Sequence, residues 1–164
     1  MEQVLSWRKG LFDSNYQVFN NGFLKFSMNF ISWKNSAIAT TPAGIYMFKS
    51  EGFSKPETKL LNNKNEVLAI ITYDWGRFQA KIVFASGDTF DWSFQNSWLK
   101  RWSLNNHKDK QILFNASTGS GLLHTNVDDD LIILCGLFVR EYYSRLIFGL
   151  IIFICCMLTF KSIF

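Results

Sequence analysis

Charge, proline and cysteine are all scarce in this 164-residue chain. Asp, Glu, Lys and Arg make up 18% of it, against roughly a quarter in an ordinary soluble domain. Two prolines and ten glycines exclude collagen-like and proline-rich segments. Three cysteines are too few for a disulfide scaffold. Cys155 and Cys156 are neighbours, and Cys135 lies about twenty residues earlier in the same apolar tract, too far along a helix for a bridge. The start, Met1 to Lys9, lacks a basic region followed by an apolar core, so no cleavable leader is expected. There is no internal repeat, and Ser117–Gly121 is the one stretch of flexible composition.

Aromatic residues, by contrast, reach 17%, with 17 Phe and 6 Trp, enough to fill a sizeable core in a chain of one-domain length. They recur with a period of two. Leu24, Phe26, Met28 and Phe30 alternate with Lys25, Ser27 and Asn29, and Tyr46 and Phe48 alternate with Ile45, Met47 and Lys49. Phe78, Ala80, Ile82 and Phe84 oppose Arg77, Gln79, Lys81 and Val83, and Phe90, Trp92 and Phe94 oppose Thr89, Asp91 and Ser93. Such alternation predicts half-buried strands. Glu66–Thr72 (EVLAIIT) is nearly continuous apolar and predicts a strand covered on both faces. Short polar turns, Asn62–Asn65, Asp74–Gly76 and Ser86–Asp88, join these segments into an antiparallel meander.

The period changes at Asp128. Asp128, Asp129 and Asp130 precede Leu131–Val139 (LIILCGLFV), which is apolar on every side. Carboxylates at a helix start cap free amides and complement the helix dipole. A helix that is apolar all round must be enclosed. This one is too short to span a bilayer, so the expectation is an antiparallel β-barrel enclosing it, with residues 1–144 as the barrel domain and 128–144 as its central helix. Leu146–Phe160 (LIFGLIIFICCMLTF) is uncharged. Extended to Phe164 it is about 28 Å long as a helix, close to the hydrocarbon thickness of a bilayer. Residues 145–164 therefore read as a transmembrane or membrane-associated C-terminal anchor, the alternative being a helix buried in protein. Arg140, Tyr142, Tyr143 and Arg145 on one side and Lys161 on the other are the expected membrane-interface residues. The basic flank places the β domain on the cytoplasmic side of a single-pass anchor.

This succession resembles the tubby C-terminal-like superfamily, which includes tubby domains, LURP-one-related proteins and phospholipid scramblases. The resemblance is a diffuse pattern over roughly residues 16–144. Its clearest stretch is Thr58–Leu104, where Lys59–Leu61 and the polar turn Asn62–Asn65 lead into the apolar strand Val67–Ile70 and the basic-apolar strand Arg77–Phe84. It continues through Gly87-Asp88 to the aromatic strand Phe90–Trp92. It implies a closed barrel around a hydrophobic helix and association with membrane lipid. Tubby domains bind phosphoinositide headgroups through basic residues, but none of that pocket maps onto particular positions here. The second apolar segment, 146–160, departs from the family pattern and would tether the barrel to a membrane.

No catalytic constellation emerges, and the chain is expected not to be an enzyme and to need no cofactor. His124 with Asp128–Asp130 could suggest a hard-cation site, but helix capping accounts for the carboxylates. His107 lies in a polar loop. The cysteines sit in apolar tracts that disfavour a thiolate. Gly119-Ser120-Gly121 lacks the residues of a phosphate loop. Asp88 and Asp91, or Glu66 and Asp74, are scattered acids, and Asn115-Ala116-Ser117 is a glycosylation triplet of a kind common by chance. The basic residues say more. Residues 1–127 hold 14 Lys and Arg against 9 Asp and Glu. Arg77, Lys81, Lys100 and Arg101 are candidates for contact with anionic lipid. Nucleic acid is disfavoured, because the aromatic residues alternate as core positions do rather than forming a stacking platform. The expected partners are membrane lipid or a membrane protein complex.

Overall fold

The computed structural model describes residues 2–10, 14–31, 34–52, 56–96, 98–117 and 119–161, with side chains as far as Thr159. Twelve strands run β1 (Gln3–Lys9), β2 (Asn15–Asn20), β3 (Phe23–Phe30), β4 (Ser36–Thr41), β5 (Gly44–Glu51) and β6 (Glu57–Leu61). They continue as β7 (Val67–Asp74), β8 (Gln79–Phe84), β9 (Thr89–Phe94), β10 (Arg101–Asn105), β11 (Gln111–Ala116) and β12 (Ser120–Thr125). One helix, α1 (Asp130–Lys161), follows. Each strand pairs antiparallel with its sequence neighbour, and β1 pairs with β12 to close the barrel. An even number of up-and-down strands is what lets the first and last meet antiparallel.

Closure at twelve strands makes room for the helix. Strands about 4.8 Å apart and tilted near 40° close at a backbone radius of roughly 12 Å. That leaves space for an inward layer of side chains and one helix about 10 Å wide. The inward layer comes from the period-two residues: Phe26, Met28, Phe48, Ile82, Phe90, Trp92, Trp102, Leu104 and Phe114 are buried. The helix passes nearest β4, where Ala37 and Ala39 point inward. Elsewhere rings fill the gap. Phe138 stacks on Phe48 and Phe30 with ring centroids 4.5 and 5.2 Å apart. The Trp92 indole N–H donates to the carbonyl of Gly136 over 3.1 Å.

The helix start follows from its acids. The Asp129 carboxylate accepts from the Leu131 amide at 2.9 Å, and Asp130 pairs with Lys25 at 2.7 Å. From Ile132 to Tyr143 most side chains are enclosed; from Phe148 to Thr159 all are exposed. The enclosed helix and its apolar continuation are thus one unbroken element, and burial alone divides the body from the tail near residue 144. The helix as a whole is long and apolar enough to cross a membrane.

Three local expectations are revised. β7 is not covered on both faces: Ala69 and Ile71 point into the barrel, while Val67 is exposed and Ile70 half-buried. Leu24 departs from the inward series because the β2–β3 register shifts between Val18 and Phe19, which breaks the alternation along β3. Arg77 does not share a strand with Lys81; it lies in the turn between β7 and β8.

Candidate functional site

A meander sends alternate loops to opposite ends of a barrel, and the two ends differ. The helix leaves through the mouth where, among the described residues, 10, 14, 31, 34–35, 52, 56, 75–78, 95–96, 98–100, 117 and 119 lie. The described loop residues here include Lys34, Arg77 and Lys100 and no carboxylate. Trp98 is 82% exposed and Trp75 40%, with Ile31 also exposed. Strand ends at the same mouth add Arg101, at the start of β10, and the carboxylates of Glu51, Glu57 and Asp74. The far mouth carries Glu66, Asp88, Asp109, Asp128 and Asp129 against Lys64, Lys108 and Lys110. Its one large exposed ring is Phe23, at the start of β3.

Inside the exit mouth lies a charge cluster around Glu141, whose side chain is 3% exposed. Lys9 Nζ stands 2.7 Å from its carboxylate, Tyr16 Oη donates at 2.8 Å and Ser14 Oγ at 2.9 Å. Arg145 Nε donates at 3.2 Å from one turn further along the helix. Arg140 lies 3.9 Å away and donates instead to Tyr16 Oη at 2.7 Å. Its guanidinium sits over the rings of Trp7 and Trp102, 5.5 and 5.4 Å from their centroids. Three cations thus share one carboxylate, and the cluster is net positive. Burial would raise the pKa of Glu141, but the charge of Lys9 and the hydrogen bonds from Lys9, Tyr16 and Ser14 reverse that and hold it below the ordinary value. Burial foremost pushes the Tyr16 hydroxyl upward, so it stays a donor.

The expected interface residues divide. Arg145 is half-buried at the mouth and Arg140 is drawn inward onto the two indoles. Tyr142 and Tyr143 do not form a lipid-facing belt. Both are buried: Tyr142 stacks on Tyr73 at 4.0 Å and accepts from Trp75 Nε1 at 3.1 Å. Tyr143 donates to the carbonyls of Asp74 and Gln79. The barrel wall offers these phenols hydrogen-bond partners that hydrocarbon does not. Lys161 ends the helix, and its side chain lies outside the described residues. Arg77, Lys100 and Arg101 gather at the exit mouth. Lys81 does not join them, lying on the outer wall opposite Asp91. Sequence reasoning missed Lys9, Ser14, Tyr16 and Lys34 at this mouth. Only the alternation of loops, counted strand by strand, could have brought Lys34 into view.

A second, polar groove of about 400 Å³ runs over the outer wall of β7–β9. There His107 Nε2 meets Asp91 Oδ2 at 2.6 Å. Ser93 borders the groove, but its hydroxyl is engaged by Gln95 at 3.0 Å rather than by His107. No nucleophile–base relay is assembled among the described residues of this groove. Among the described residues, no three His, Cys, Asp or Glu side chains come together in a metal-binding group. No family model, curated protein or solved structure matches the chain.

Proposed function

We propose that this chain is a non-enzymatic, tubby-like barrel tethered to a membrane by α1, with its exit mouth seated on an anionic lipid surface. One observation carries the reading: the apolar helix emerges through the same mouth that presents Trp75, Trp98, Lys34, Arg77 and Lys100. A helix that enters a bilayer brings its own mouth to the headgroups. Indole rings favour that depth, and each Lys or Arg near an anionic leaflet contributes about 1 kcal/mol. The acidic far mouth then faces water. The excess of Lys and Arg on the membrane-proximal end favours the cytoplasmic side. A closed barrel around a helix is also what the tubby-like resemblance implies.

Depth measurement tests the reading. In the full chain with Cys155→Ser and Cys156→Ser, spin labels at Gln95→Cys and Lys64→Cys are compared in anionic vesicles. The Gln95 label is expected to be reached by oxygen and shielded from an aqueous nickel chelate, and the Lys64 label the reverse. Equal exposure of both labels to the chelate would show a barrel held away from the surface.

A second reading, a subunit docked in a membrane protein complex, is favoured by the exposed Phe23 and Leu24 at the far mouth. A fixed partner recovered with the full chain, and lost on Phe23→Ser, would support it.

A further inference from the structure

Between the emerging helix and the loops after β3, β5 and β7 lies a pocket of about 530 Å³. Lys34, Glu51, Trp75, Tyr142 and Arg145 line it, and so does Leu146, where the helix begins to lose its protein cover. Its charges do not balance. Glu51 is engaged by Lys59 at 3.3 Å. The carboxylate beside Arg145 is Glu141, already shared with Lys9. Among the described residues no carboxylate lies within ion-pair distance of Lys34. Free donors remain. Arg145 uses Nε on Glu141 and Nη1 on the Lys34 carbonyl, which leaves Nη2. Tyr142 Oη accepts from Trp75, so its own proton is available.

We infer that this pocket holds the phosphate of one anionic glycerophospholipid. Phosphodiester oxygens accept from Lys34 Nζ, Arg145 Nη2 and Tyr142 Oη, an arrangement of charge-assisted donors suited to phosphate. The acyl chains continue along Leu146 and the exposed apolar face beyond it. This assignment rests on the reading that the exit mouth faces the membrane, because only then does hydrocarbon lie beside Leu146. The pocket's uncompensated positive charge selects a headgroup with net negative charge over a zwitterionic one. Its volume is within the range of small-molecule sites.

The test is native mass spectrometry of the full chain in non-ionic detergent with added dioleoyl phosphatidylglycerol or dioleoyl phosphatidylcholine. A single phosphatidylglycerol adduct is expected, retained in preference to phosphatidylcholine. Lys34→Glu should cut its occupancy by about tenfold or more, since reversing one exposed cation changes two units of charge. Tyr142→Phe should weaken it less, and Lys64→Glu, at the far mouth, should leave it unchanged. Lys34 is an exposed loop residue, and an unchanged near-ultraviolet circular dichroism spectrum checks that Lys34→Glu folds. Adducts in several copies, indifferent to Lys34→Glu, would mean lipid merely coating the helix and would overturn the site. Equal retention of phosphatidylcholine would overturn the anionic assignment. Displacement by millimolar glycerol 3-phosphate would reassign the pocket to a free phosphate monoester. The spin-label depths do not depend on Lys34, so a lost adduct with intact depths removes the pocket and leaves the seating of the barrel in place.

Discussion

Glu141 holds the exit mouth together, and its ionisation is its most testable property. Its pKa is depressed in the folded protein, against burial and because of Lys9, Tyr16 and Ser14. A carboxylate with a depressed folded pKa adds stability that is complete above its ordinary value of 4.5 and is lost as pH falls through the lower, folded value. The urea midpoint of the detergent-solubilised protein is therefore expected to drop as pH is lowered below about 4.5, and Glu141→Gln to flatten that drop. Glu141→Leu should destabilise by about 3–5 kcal/mol at neutral pH, because it strands buried cations without a counter-charge. A neutral result in urea titration would remove the cluster from the stability of the fold. The sequence marks Arg140, Glu141, Tyr142, Tyr143 and Arg145 as a boundary cluster. It does not say which way they point, because phenols and guanidiniums suit both a lipid interface and a protein wall that supplies acceptors. Nor could Lys9, Ser14 and Tyr16 be foreseen: they lie more than a hundred residues away in sequence, and only barrel closure brings them to Glu141.

At the level of elements, the helix shows two environments on one rod. Its enclosed half is packed tightly at Gly136, where an added Cβ would meet Leu104 Cδ1 at 2.6 Å and Phe114 Cζ at 2.8 Å. Gly136→Ala should cost about 1–3 kcal/mol through overpacking, despite the better helix propensity of alanine. At Gly149, beyond the barrel, a Cβ would meet nothing within 4 Å. Gly149→Ala should leave the thermal midpoint unchanged or slightly raised. Equal effects of the two substitutions in thermal melts would show that the wall does not grip the helix. The strands were legible from their alternation, and so was a greasy helix inside them, since Leu131–Val139 has no polar face to give to water. The outer face of β7 was not. Val67 and Ile70 are apolar yet lie on the outside, and composition alone cannot separate an exposed apolar position from a covered one.

On the scale of the whole molecule, the two mouths carry opposite characters, and the last enclosed side chain near the exit is Tyr143. A chain ending at Ile147 is therefore expected to stay folded and to float with anionic vesicles at low salt. Neutralising Arg77, Lys100 and Arg101 together should weaken that binding about a hundredfold, at about 1 kcal/mol for each charge. The same change at Lys64, Lys108 and Lys110, or at Lys81 alone, should have little effect. Flotation that is insensitive to the exit-mouth charges would sink the electrostatic part of the reading. Arg77, Lys100 and Arg101 could be picked out as a basic group from the sequence. Alternation alone groups Lys81 with them, because it starts the strand at Arg77, two residues before β8 begins.

The helix runs from the barrel's axis into its exposed length without a proline or a break between Val139 and Thr159. A body anchored by this helix would therefore ride it as a hull rides a fixed mast, with no swivel between them. In a thinner bilayer, where a spanning helix leans further from the normal to match the hydrocarbon, the whole drum would list. One flank of its rim would sink toward the lipid while the opposite flank lifted clear.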